Sequence, residues 1–225
     1  MGAGKKIGTR MAPHVTKMAP GAASSVVLSA LDRAIKGIGR LPSAASAADK
    51  VLAEYGNVDK AIHAIIERHV RYAGAQGFVT NLGGLVTLPV TIPANVAGLA
   101  LIQCHLVAEI AHLRGYDLED ERTRGAILVS LLGEDRIKQL TKSKRIPGTP
   151  LAIATAAVPD PDLTRVAAVE VASELIGRAA GKRVAGVVAR RTPVLGGVVG
   201  LGLDGYSTWK IGRYVDRELF PRKRR

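Results

Sequence analysis

Three side chains on one short stretch have the types and spacing to hold a metal ion: His105, Glu109 and His112, at i, i+4 and i+7. At 100° per residue they point within about 60° of one another on a single helical face. Glu109-x-x-His112 also has the carboxylate-plus-imidazole spacing used in helical metal sites. A divalent ion held there would make the chain a metal-dependent enzyme using His105, Glu109 and His112. Such a site needs a fourth ligand or a matching pair on another helix, and the chain has no second Glu-x-x-His. The reading preferred for this face is therefore the polar end of a mostly buried helix, where His and Glu bond to each other. No catalytic residue and no cofactor are assigned.

Other stretches that suggest chemistry have simpler explanations. Gly177 to Arg183 (GRAAGKR) has three residues between its glycines where a phosphate loop has four, and Arg183 stands where Ser or Thr should hold magnesium. Asp117, Glu119, Asp120 and Glu121 lack the glycine at the sixth position and the closing Glu at the twelfth that a calcium loop requires, and are read as helix capping, with Asp117 as N-cap. Gly196 and Gly200 form a G-x-x-x-G beside Gly197. Each glycine costs a helix roughly 0.5–1 kcal/mol relative to alanine, and close helix approach recovers that cost. An intramolecular crossing is expected, with Gly83 and Gly84 as the opposing surface. Finally Arg222, Lys223, Arg224 and Arg225 follow an amphipathic segment bearing Trp209, Tyr214, Leu219 and Phe220. A basic cluster next to interfacial aromatics supplies the two signals that stable membrane attachment needs, at about 1 kcal/mol per basic residue on anionic lipid. Arg222 to Arg225, Trp209 and Phe220 are the expected membrane contacts.

The elements that must position these groups read as helices. From Tyr72 to Ala108 there is no Asp, Glu, Lys or Arg, in a chain that is 23% charged. Charge this absent means burial, in protein or in lipid. With 225 residues, 47% of them hydrophobic, the chain can bury one sizeable core. Aromatics are 4%, so that core is built from Ala, Val, Leu, Ile and Gly, which favours close helix packing. The spacing predicts helices over Ala22 to Ile38, Ser43 (as cap) to Glu54, and Asn57 (as cap) to about Ala75. In the last of these Ala61, Ile65, Val70 and Tyr72 form the inner side, with Lys60, Glu67, Arg68 and Arg71 outside. Pro89 and Pro93 are expected to break the uncharged run into two apolar helices, Phe78 to Leu88 and Ala94 to about Arg114. Beyond Gly115 follow a helix to about Gly133, a short one from Glu134 to Thr141, a four-proline connector within 143–163, a helix capped by Thr164, the Gly-rich segment, and Tyr206 to Phe220. The expected organisation is a basic N-terminus over 1–21 without regular structure, one all-α domain over 22–220 with a Pro-kinked apolar hairpin and a Gly-rich C-terminal helix pair, and a basic tail over 221–225.

The formal net charge is +13, concentrated at the two ends around a neutral to acidic middle. Such a field attracts polyanions, either nucleic acid or anionic lipid head groups. The chain carries no helix-turn-helix, zinc or RNA-recognition signature, and it has few aromatics for base stacking, which leaves non-specific nucleic-acid binding as the alternative. Cys104 is the one cysteine. It allows no internal disulfide, and the N-terminal residues show no apolar secretory segment, so a cytoplasmic location is expected.

Three segments together resemble the EcsC family of bacterial proteins. They are GGLVTLPVTIPANVAGLALIQCHLVAEIAHLRGYDLEDERTR (Gly83 to Arg124), TPVLGGVVGLGLDGYSTWKIGRYVDREL (Thr192 to Leu219) and the amphipathic region before Tyr72. In the closing pattern Asp204 stands where Asn is more frequent. The resemblance implies an all-helical, membrane-linked accessory protein, because the family is named for a protein associated with an ABC-transporter operon. It supplies no catalytic residue. The expectation is a non-enzymatic protein attached peripherally to the inner face of the cytoplasmic membrane, with the anionic surface and a membrane complex such as an ABC transporter as partners.

Overall fold

Apolar residues recur at spacings of three and four through most of the chain, and each stripe closes into a helix against its neighbours. The computed structural model describes residues 20–82, 88–188 and 193–222, with side-chain surroundings over 21–76, 96–179 and 202–222. In chain order the helices are α1 (Pro20–Lys36), α2 (Ala44–Tyr55), α3 (Val58–Leu82), α4 (Leu88–Leu113), α5 (Glu121–Ser130), α6 (Glu134–Lys142), α7 (Pro150–Ala154), α8 (Leu163–Val188) and α9 (Pro193–Glu218). Among the described residues there is no β-strand, only an isolated bridge pairing Ile38 with Leu41. The all-α expectation is met.

Helix α4 is the hub, touching α1, α2, α3, α5, α8 and α9. Its stretch Val96–Leu113 is long and apolar enough to cross a membrane by composition. Most of that stretch is nevertheless packed inside protein, with Cys104, Leu106, Val107, Ala108, Ile110 and Ala111 fully buried. Absence of charge in this part of the run reflects a protein core. The expected separation into two helices at Pro89 and Pro93 does not occur, because α4 begins at Leu88 and runs through both prolines. Pro89 falls in the first turn, where a backbone N–H has no partner in the helix anyway, so only the donor missing at Pro93 is a loss. Similarly α3 does not stop near Ala75 but continues to Leu82.

Local chemistry explains most boundaries. Ser43 accepts a hydrogen bond from the Ser46 N–H at the start of α2, and Gly56 ends that helix in the left-handed conformation. Asn57 accepts from the Lys60 N–H at 3.0 Å. The N-cap of α5 is Asp120, which accepts from the Arg122 N–H, whereas Asp117 closes a local turn onto the Glu119 N–H. Thr164 likewise lies inside α8, one residue past its start. Within the proline-rich connector, Thr149 caps the short α7, whose Ile153 and Ala154 are buried against the core.

The most extensive interface is α3 on α9. The Gly-rich segment and the amphipathic segment Tyr206 to Phe220, expected as separate helices, are continuous in α9. Gly205 brings this helix onto α3, where an added Cβ would lie 3.4 Å from the Val70 carbonyl oxygen. One Cβ at Gly212 would come within 2.9 Å of Ile66 Cγ1. Glycine thus serves an intramolecular crossing at Gly205 and Gly212. Gly83 and Gly84, and the surroundings of Gly196, Gly197 and Gly200, lie outside the described residues.

Candidate functional site

Where α3 crosses α4, polar side chains meet in the interior. The apolar stripe of α3 runs Ile62, Ile65, Ile66, His69 and Ala73, so His69 enters the core at a position where the pattern calls for an aliphatic residue. It is 2% exposed; the facing His105 and Glu109 of α4 are 4% and 0% exposed. His105 Nδ1 lies 2.6 Å from Glu109 Oε1. His69 Nε2 lies 3.3 Å from His105 Nδ1 and 3.5 Å from the same Glu109 oxygen. Three potential ligand atoms from two helices therefore share one small volume.

The outer atoms of the cluster are all engaged. His69 Nδ1 is 2.9 Å from the Ile65 carbonyl oxygen one turn back, and His105 Nε2 is 3.1 Å from the Pro42 carbonyl oxygen. A carbonyl only accepts, so the hydrogen in each contact sits on the outer ring nitrogen. A ring that carries its hydrogen only there has its lone pair on the inner nitrogen. Pro42 is held in place by the α1–α2 turn, where Gly37 adopts φ +82°; a Cβ there would be 2.8 Å from both the Leu41 carbonyl oxygen and the Ser43 nitrogen. The second Glu109 oxygen, Oε2, accepts from the Arg68 guanidinium at 2.5 Å. Burial holds the His69 imidazole down at about 4, with the Glu109 carboxylate acting in the opposite direction. Tyr72 packs edge-on to the same ring, 5.9 Å between centroids.

The sequence-derived trio is thus split. His105 and Glu109 are in the cluster, whereas His112 turns to the opposite neighbour and bonds Asp49 Oδ1 of α2 at 2.8 Å. Although it shares a face with Glu109, a step of three residues along the helix carries it to the next packing partner. His69 is the member that sequence reasoning missed, and the available signal was a histidine four residues after Ile65 on a buried stripe. Two side chains also exchange sides. Arg68 turns inward to Glu109, and Tyr72 is 53% exposed.

A second feature is an exposed aromatic face on α9. Leu203, Tyr206 and Trp209 are 44%, 60% and 47% exposed, and the Tyr206 and Trp209 rings stack with centroids 6.0 Å apart. Lys210, Arg213 and Arg217 continue the solvent side of the helix toward its C-terminus. They form ion pairs with Asp135, Asp216 and Glu134 respectively. Beyond the helix, Phe220 is exposed, and its carbonyl accepts from the Tyr116 hydroxyl at 3.1 Å. The Arg222 guanidinium lies over the Tyr116 ring at 5.4 Å. The Arg222 N–H donates to the Arg114 carbonyl at 2.7 Å. Lys223, Arg224 and Arg225 lie outside the described residues. Gln103, fully buried on α4, reaches back to Thr208 Oγ1 of α9 at 3.2 Å and so ties this helix to the hub.

Among known proteins, the model of the EcsC protein family matches residues 3–144. That span is more than half of the chain and includes all three members of the buried cluster, together with the segment Gly83 to Arg124. It ends before Thr192 to Leu219. No curated protein and no solved structure gives a significant match.

Proposed function

The chain belongs to the EcsC protein family, and from that premise we propose that it acts at an anionic membrane surface as a non-enzymatic accessory of a membrane complex. The observation that carries this reading is the exposed Leu203–Tyr206–Trp209 face of α9 with basic residues following it along the same helix. Three large apolar groups side by side on solvent-exposed helix surface are unusual for a self-contained protein. Stacked Tyr and Trp have the amphipathic rings suited to the headgroup layer, and Lys210, Arg213 and Arg217 have long stems that keep their charges in the polar zone. The pairs of Lys210 and Arg217 are at the surface, where such pairs contribute little, so exchanging Asp135 or Glu134 for a lipid phosphate costs little. The net charge of +13 adds long-range attraction of the same sign.

Trp209 is the only tryptophan, so its fluorescence reports directly on this face. The test is flotation of the purified protein with neutral and anionic vesicles at low and high salt, read together with Trp209 emission. Flotation on anionic vesicles with a blue-shifted Trp209 is expected, and Tyr206→Ser with Trp209→Ser should abolish both. Absence of flotation under every condition would overturn the reading. Flotation that persists unchanged in the double variant would remove α9 from it.

A further inference from the structure

The buried cluster between α3 and α4 brings three potential acceptor atoms within one small volume. Both outer imidazole nitrogens bond to carbonyls, so the inner His69 Nε2 and His105 Nδ1 present lone pairs to each other at 3.3 Å and to Glu109 Oε1 at 3.5 and 2.6 Å. Among the described residues Glu109 Oε1 has no hydrogen bond of acceptable geometry despite its complete burial. Three converging lone pairs repel unless a cation sits among them. Only a proton or a bare metal ion is small enough to do so.

The surroundings resemble those that metal ligands need. Metal-binding imidazoles characteristically donate their other N–H to a backbone carbonyl or carboxylate, which fixes the ring and raises its basicity. Here both rings do so, one to Ile65 and one to Pro42. Ligands at about 2.1 Å from a tetrahedral ion lie about 3.4 Å apart, against observed separations of 3.3 and 3.5 Å on two edges of the triangle. The third edge, 2.6 Å, must widen by somewhat less than an ångström, within reach of the soft terminal torsion of a glutamate. Arg68 occupies Oε2 and so leaves Oε1 as the single donor.

We propose that His69 Nε2, His105 Nδ1 and Glu109 Oε1 form a three-ligand site for a first-row divalent transition ion of the zinc class, with one further position open to a solvent ligand. Two imidazoles and one carboxylate suit Zn²⁺, Co²⁺ or Fe²⁺ in preference to Ca²⁺ or Mg²⁺, which take oxygen ligands. Binding displaces to solvent any proton held among the three atoms, since each must offer a lone pair to the ion. The ion joins α3 to α4 at the centre of the fold. This site is independent of the membrane reading.

The experiment uses the full chain, stripped with chelator and titrated with Zn²⁺ or Co²⁺ alone. One equivalent should bind, Co²⁺ should develop visible ligand-field bands, and the melting temperature should rise by about 5–10 °C at a hundredfold excess over Kd. His69→Gln and Glu109→Gln should each remove the bands and the shift, while His112→Gln keeps both. Nitrogen-15 imidazole spectra of the wild-type chain need no variant, and should show His69 Nε2 and His105 Nδ1 moving on metal addition. No stoichiometric uptake, with the imidazole signals unmoved, would overturn the proposal and leave a proton as the bridging cation. Uptake that survives in His69→Gln and Glu109→Gln would overturn it equally, by placing the ion elsewhere.

Discussion

Acidifying the chelator-treated protein from pH 7 to pH 4 should remove a calculable part of its stability through His69. In the unfolded chain this imidazole titrates at its ordinary value of 6.5, and in the folded chain burial lowers it to about 4. Between these values the unfolded chain takes up a proton that the folded chain refuses, so stability falls as pH falls. Above 6.5 both states are neutral and the contribution is flat; below about 4 both are charged and it is flat again. Each pH unit inside the window is worth 1.36 kcal/mol, so the span of about 2.5 units amounts to about 3 kcal/mol. That is a large fraction of the 5–15 kcal/mol typical of a folded domain. The groups facing the ring pull in both directions. Glu109 on α4 favours its charged form, whereas His105 on α4 and Arg68 on α3 itself oppose it. The assay is urea unfolding at pH 7, 6, 5 and 4 on wild type and His69→Gln, with chelator throughout. Wild type minus variant isolates the imidazole from the carboxylates that titrate in the same range. A difference that stays flat across the window, or that grows in favour of wild type toward acid, would refute the assignment of His69 as a neutral group held by burial.

Two further predictions test the packing. Gly212→Ala should destabilise by about 1–3 kcal/mol in urea unfolding, because its Cβ would press on buried Ile66 at 2.9 Å. Gly202→Ala on the same helix meets nothing within 4 Å and should stabilise by roughly 0.5–1 kcal/mol; equal signs would count against the close α3–α9 contact at Gly212. Cys104 is fully buried and its thiol is pushed up to about 12. A maleimide or disulfide reagent should therefore label it only once denaturant has unfolded the chain, and rapid labelling of native protein would show that α4 is open there.

How far the site was legible depended on which physical signal each residue carried. His105 and Glu109 were found because an i, i+4 relation is a property of one helix, independent of what packs on it. His69 was not, because its significance lies in facing α4 across a sequence separation of 36 residues, which no local spacing encodes. His112 was wrongly included for the same reason. Helical phase placed it near Glu109, but the neighbour it meets is Asp49 of α2. Pro89 does not break the helix because α4 starts at Leu88, which the sequence does not announce, and a proline in a first turn is harmless; at Pro93 the helix continues with one backbone donor missing.

From the sequence alone came the all-α class, the caps at Ser43 and Asn57, the stop at Gly56, the shortage of aromatics that forces small-residue packing, and the family. Each follows from local backbone chemistry or from hydrophobic period, and both are written within a few residues of chain. Tertiary structure decided which glycines make a helix crossing, which charged side chain turns inward, and which imidazole completes the buried cluster. Those outcomes depend on distances between helices far apart in the chain. They are set by how α3, α4 and α9 pack, because only packing determines which side chains lose water and which partners they must then satisfy.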